Sequence, residues 1–167
     1  DRYQGYCDAL NEAGIILEPS LVLEGDFEPP SGRACANAFF DLPADERPTA
    51  IFAGSDYMAY GSISAAEQRG LRVPEDIAVV GFDDNPNSAH MEPALTTVRQ
   101  PFYEMGRRAI EILLALVDAP RPVNGLNRNG RVSEVPTTIF SESIHIKMPT
   151  SLIVRASCGA SHRATIV

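Results

Sequence analysis

The stretch that most constrains the fold is residues 47–100, RPTAIFAGSDYMAYGSISAAEQRGLRVPEDIAVVGFDDNPNSAHMEPALTTVRQ, where short apolar runs alternate with an amphipathic segment. Thr49, Ala50, Ile51, Phe52 and Ala53 read as a buried strand. Gly54, Ser55 and Asp56 then turn the chain into a helix, with Ser55 and Asp56 both good N-cap types. Gly70 ends that helix, Pro74 blocks its continuation, and Ile77, Ala78, Val79 and Val80 form a second apolar strand that leaves through Gly81-Phe82-Asp83-Asp84. This is a βαβ unit. Its strands must be parallel, so Ser55 and Asp83 emerge at the same carboxyl edge, where open α/β sheets bind ligands.

The flanking segments extend the alternation. Tyr3, Tyr6, Cys7 and Leu10 fall at helical spacing over residues 2–11, with Gly14 as terminator. Residues 20–24 are expected to form a strand followed by a turn-rich loop, 25–30, that carries Phe27 towards the same cleft. Residues 31–40 can form a helix exposing Arg33 and Asn37 and burying Ala34, Ala38 and Phe39. Further on, residues 85–91 read as a turn and a short helical piece, and Thr96-Thr97-Val98-Arg99 is a β-prone run. Pro101 opens a helix whose apolar face is Phe102, Met105, Ala109, Ile112, Leu113 and Leu116. Residues 144–147 and 151–155 have strand character. The expected class is α/β, a parallel open sheet with helices on both faces.

Composition narrows the functions. At 167 residues and 44% hydrophobic content the chain can bury a single-domain core. A net charge of −8 argues against this segment gripping a phosphate backbone. No apolar run approaches the roughly 18 residues of a membrane span, and the first residues are not a signal peptide. Cys7, Cys35 and Cys158 are odd in number and far apart, which reads as reduced cytosolic thiols. His90, His145 and His162 lack metal-ligand spacing, and neither a nucleophile elbow nor a phosphate-binding loop occurs, so no metal, no cofactor and no catalysis are expected.

The motifs RPTAIFAGSDYMAYGSISAAE, GLRVPEDIAVVGFDD, PALTTVRQP with MGRRAIEILL after it, and SLIVRAS, in this order and spacing, resemble the effector-binding domain of the LacI/GalR family of bacterial transcription regulators. The resemblance implies a type I periplasmic-binding-protein-like fold of two lobes. Residues 1–95 would be the C-terminal lobe, 96–120 a crossover strand and helix of the N-terminal lobe, 121–143 an insertion or loop, 144–157 return strands, and 158–167 a tail. It also implies a cytoplasmic homodimer, pairing through Tyr60 and Met91, that reads operator DNA through a helix-turn-helix lying upstream. The chain is then the C-terminal part of a longer regulator. In the crossover reading, the helix over 101–117 is built to pack on a sheet this chain mostly lacks, so an exposed apolar stripe is expected there.

By the same resemblance the ligand-binding residues are Arg2, Phe27, Ser55 and Asp83. Asp83 is an acceptor for adjacent sugar hydroxyls or for the N–H groups of a base, and Arg2, three residues before Gly5, is its complementary donor. Phe27 offers a face for a pyranose or a purine. Ser55 stands where many sugar-responsive members carry Asn. Asp56 is expected to stabilise its helix N-terminus, and Asp84 to cap the following turn. The effector is a sugar or another small polar metabolite. The alternative is a solute-binding protein of a sugar ABC transporter, which shares the two-lobed architecture.

Overall fold

The computed structural model describes residues 2–118 and 145–160. Its elements are α1 (Arg2–Glu12), α2 (Pro29–Phe40), β1 (Ala50–Phe52), α3 (Asp56–Gln68), β2 (Ala78–Asp83), β3 (Thr96–Arg99), α4 (Phe102–Asp118) and β4 (Ser151–Ile153), with 3-10 turns at Pro19–Leu21, Pro86–Ala89 and Ala156–Cys158. The strands form one sheet in the order β1-β2-β3-β4. β1, β2 and β3 are parallel, as expected, and β4 adds an antiparallel edge that makes the sheet mixed.

The chain divides into two compact units, 1–100 with 150–167, and 101–149. Thr96–Arg99 pairs with β2 along Val80↔Thr96 to Asp83↔Arg99, so the crossover strand lies in the first unit and the second begins at Pro101. In the second unit α4 exposes Phe102, Met105, Ala109, Leu113 and Leu116 of the face read from the sequence, with Ile112 half-buried, and Tyr103, Ile110, Leu114 and Val117 outside that face are exposed as well. The expected insertion at 121–143 lies outside the described residues.

Helix ends follow local chemistry. Gly70 takes φ +71°, Leu71 N–H donates to Ala66 O at 2.9 Å and Gly70 N–H to Glu67 O at 2.9 Å, which closes α3 on a left-handed glycine. At its start the Ser55 hydroxyl accepts from Met58 N–H at 3.1 Å. Two packed clusters share the Ile51/Val79 face of the sheet. One joins Ala36, Phe39, Phe40, Ile51, Ala65, Ala66 and Ile77; the other joins Ala53, Met58, Ala59, Ile63, Val79 and Leu95. Each large side chain buried there contributes about 1.5–3 kcal/mol.

Three expectations need correction. Residues 20–24 form no strand: Pro19–Leu21 makes a 3-10 turn, and Val22 is extended (φ −121°, ψ 114°) without ladder bonds. A β-prone composition supplies the backbone angles, but only an adjacent strand at pairing distance supplies the bonds. Residues 145–150 are likewise outside any strand. The buried face of α2 is Gly32, Ala36, Phe39 and Phe40, whereas Ala34 and Ala38 are exposed. The phase is set by contact with α3, where small residues let the backbones meet.

Asp56 does more than sit at a helix N-terminus. It is 1% exposed, and its carboxylate accepts from Asn85 N–H (2.7 Å), Ser88 Oγ (2.6 Å) and Thr97 Oγ1 (2.5 Å). The first turn of α3 is thereby tied to β3 and to the loop after β2. Gly81 makes room for it, since a Cβ there would stand 2.3 Å from Asp56 Oδ1.

Candidate functional site

Asp83 ends β2, and its Oδ1 accepts from Arg2 Nη2 at 3.3 Å and from Gln100 Nε2 at 2.6 Å. Arg2 and Asp83 are both about one-third exposed, so this is a rim pair, able to exchange partners with a solute. The Arg2 guanidinium also lies over two rings, 4.3 Å from the Phe82 centroid and 5.4 Å from that of Phe27. Arg2 therefore brings Phe27 and Asp83 to one place at the carboxyl edge of the parallel strands.

Ser55 is placed differently. It is 3% exposed, its hydroxyl donates to Phe27 O at 3.0 Å, and it accepts from Met58 N–H. Both hydrogen-bonding directions are thus used inside the protein. Ser55 holds the Phe27 turn in position and caps α3, and its hydroxyl does not face the open space. A serine that ends a strand and starts a helix satisfies the helix first, because an orphan buried N–H costs more than a lost ligand contact.

The backbone at the site is unusual. Phe27 (φ +69°), Asp83 (φ +119°) and Asp84 (φ +55°) are non-glycine residues at positive φ. Such conformations cost about 1–3 kcal/mol each and persist where the surroundings over-determine them. Here Asp84 N–H donates to Thr97 Oγ1 at 3.2 Å, and the Asp84 carboxylate binds Arg155 Nη2 at 2.7 Å and Arg99 Nε at 2.6 Å. Burial pushes the Asp84 carboxyl up, but the hydrogen bonds and charges of Arg155 and Arg99 outweigh it and hold the group below the usual carboxylate range. Arg155 also donates from Nη1 to Leu95 O at 2.7 Å. Asp84 is a structural ion-pair centre beneath Asp83, a larger role than capping a turn.

A cavity of about 930 Å³ opens at this rim. Arg2, Phe27, Phe82 and Gln100 line it, together with Tyr3, Tyr6 and Glu24 and the apolar Leu21, Leu23, Ala36 and Phe39. Phe82 and Gln100 were not singled out from sequence. Their signal was there in the register: Asp83 pairs with Arg99, so the residue after Arg99 must reach the same edge.

The two residues expected at a subunit contact lie on the second core cluster. Tyr60 and Met91 both pack against it, half-buried. Tyr60 OH is 2.7 Å from Ser88 Oγ, and burial pushes its phenol pKa up. Among the described residues, no group of three or more His, Cys, Asp or Glu side chains could hold a metal ion, and no helix is long and apolar enough to cross a membrane.

With this geometry established, comparison with known proteins places the chain. Residues 1–158 match the periplasmic binding protein-like domain. The HTH-type transcriptional repressor PurR of Haemophilus influenzae (strain PittEE) is 41% identical over 143 residues, 86% of this chain and 41% of the repressor. The chain thus spans about two-fifths of that relative's length. A regulatory protein of the LacI family from Chloroflexus aggregans superposes with a TM-score of 0.74 at 39% identity, covering 94% of this chain and 49% of that one. The transcriptional regulator CelR in complex with cellobiose gives 0.74 at 35% identity, covering 93% and 41%. The likeness is to regulators rather than to transporter components, and the chain belongs to the periplasmic binding protein-like domain family, as the effector-binding domain of the LacI/GalR type.

Proposed function

We propose that this chain senses a small polar metabolite at the Arg2–Asp83 rim and passes the binding energy to a DNA-reading head carried outside these 167 residues. The observation that carries this is the meeting of Arg2, Asp83 and Gln100 with the Phe27 and Phe82 rings at one edge of the sheet, where Arg2, Gln100 and the two rings line a cavity of about 930 Å³. An ionised acceptor, a planar donor and two aromatic faces match a ring that carries vicinal hydroxyls or amide-like N–H groups. CelR, a relative in fold and sequence, is described with cellobiose bound, which supports a sugar.

A binding role needs no turnover. The effector has only to bind one arrangement of the whole regulator more tightly than another, by a coupling of about 1–3 kcal/mol. The net charge of −8 fits a sensor that leaves DNA contact to another segment. The intact protein is then a cytoplasmic homodimer, with Tyr60 and Met91 near the contact. Met91→Arg should shift it towards monomer by light scattering, and an unshifted mass would reject that contact.

The test of the site is a thermal-shift screen of monosaccharides, disaccharides and nucleobases, because a ligand of the native state raises apparent stability by mass action. At least one compound should raise the melting temperature. Asp83→Ala should weaken it by about 1.5–3 kcal/mol, roughly ten- to a hundredfold in affinity. A hit unaffected by Asp83→Ala would reject the site.

A further inference from the structure

We infer that Asp84 is a positioning residue for the rim: its carboxylate, held by Arg99 and Arg155, keeps the Asp83 acceptor aligned with the Gln100 amide, and so shapes the acceptor–donor pair offered to a solute. This rests on the site proposed above and deepens it by naming what holds it in shape. The first observation is the backbone. β2 ends on two consecutive non-glycine residues at positive φ, Asp83 at +119° and Asp84 at +55°. Aspartate tolerates the left-handed region that Asp84 occupies, but φ +119° lies outside it and has to be imposed on Asp83 by its neighbours.

The second observation identifies those neighbours. Asp84 N–H donates to Thr97 Oγ1 at 3.2 Å, and the Asp84 side chain, only 9% exposed, accepts from Arg155 Nη2 at 2.7 Å and from Arg99 Nε at 2.6 Å. Arg155 is fixed in turn, since its Nη1 donates to Leu95 O at 2.7 Å and its backbone N–H to Thr96 Oγ1 at 2.8 Å. Charge-assisted bonds of this kind are directional, so Asp84 cannot turn about its backbone without giving up both arginines. The third observation is the order of contacts at the two strand ends. Asp83 is in register with Arg99; the residue after Asp83 binds Arg99, and the residue after Arg99, Gln100, donates from Nε2 to Asp83 Oδ1 at 2.6 Å. Loosening the ion pair frees Asp83 to return to ordinary extended φ, which carries its carboxylate away from Gln100. Arg2 is a poor substitute as the holder: it reaches the same oxygen at 3.3 Å, with both partners about one-third exposed and screened by water.

The test reads the Gln100 side-chain amide by NMR of the full, nitrogen-labelled chain, without any ligand. Asp83→Ala removes the acceptor, and the change of chemical shift it causes in that amide marks the lost contact. Asp84→Asn keeps the residue's shape and its tolerance of positive φ; it should reproduce about half of that change or more, while the backbone amides of β1 and α3 stay in place. Arg99→Met removes the more exposed arm of the ion pair and should leave the fold intact; it should move the Gln100 signal the same way, and Arg99→Lys, which keeps the charge, should move it back. A purely structural role for Asp84 has a different signature: Asp84→Asn would lower the melting temperature with the Gln100 signal unmoved, and that result overturns the inference. Should Asp84→Asn fail to fold, a Gln100 signal unmoved by Arg99→Met overturns it equally. Failure of the underlying site looks different, because a screening hit indifferent to Asp83→Ala rejects the site even where the Gln100 signal still answers to Asp84.

Discussion

Gly32 of α2 lies against Met58 of α3 so closely that a Cβ on the glycine would stand 2.1 Å from the Met58 carbonyl oxygen. The contact is reciprocal, since a Cβ on Gly61 would stand 2.0 Å from Pro29 O. Both obstacles are backbone, which cannot swing aside as a side chain can. Gly32→Ala and Gly61→Ala should therefore each destabilise the fold by about 3 kcal/mol, the upper part of the overpacking range. Urea denaturation measures this, and a loss below about 0.5 kcal/mol would show that the helices can separate freely.

The Asp56 carboxylate has three donors and almost no water. Asp56→Asn turns one acceptor into a donor facing other donors, and should cost about 3 kcal/mol; Thr97→Val removes one partner and should cost about 2 kcal/mol. The double variant should be less damaging than the sum, because the two residues share one bond. Additive losses would show that the Thr97–Asp56 contact carries no energy of its own.

The folded Asp84 carboxyl titrates below its unfolded value of about 3.9, so its ion pairs stabilise the protein fully above that pH. The contribution is lost as pH falls through the folded value. Asp84→Asn should lower stability at neutral pH and flatten the acid limb below about pH 4. Arg155 is mostly buried and Arg99 about half exposed, so Arg155→Met should cost about 3 kcal/mol and Arg99→Met less than about 1. Asp76, lowered to about 2 by hydrogen bonds from Arg72, adds to the same limb with the same sign, but it is exposed and screened. Denaturation midpoints across pH 7 to about 2 measure both effects.

Ser55→Ala should cost about 1 kcal/mol of stability through the lost cap and should leave ligand polar contacts in place, since the hydroxyl faces Phe27 O and Met58 N–H. Affinity would fall only as far as the Phe27 turn loosens, by less than about threefold. A drop comparable to that of Asp83→Ala would mean that Ser55 touches the ligand directly.

Residue types and their spacing were enough to determine the βαβ unit, the caps at Ser55 and Gly70, the stripe on α4 and the edge from which Asp83 emerges, because these depend on dihedral preference and periodicity within one short stretch. Pairing and phase are different in kind. Residues 20–24 have the composition of a strand and do not pair, Ala34 and Ala38 have the spacing of a core face and are exposed, and Ser55 points into the fold rather than the cleft. The last two outcomes were settled by a partner distant in sequence, the backbone of Met58 and the carbonyl of Phe27. Gln100 and Phe82 joined the rim for the same reason, through the β2–β3 register and the reach of Arg2. Local free energies of about 1 kcal/mol select the elements, and the larger penalties for steric overlap and unpaired buried polar groups then decide which faces meet.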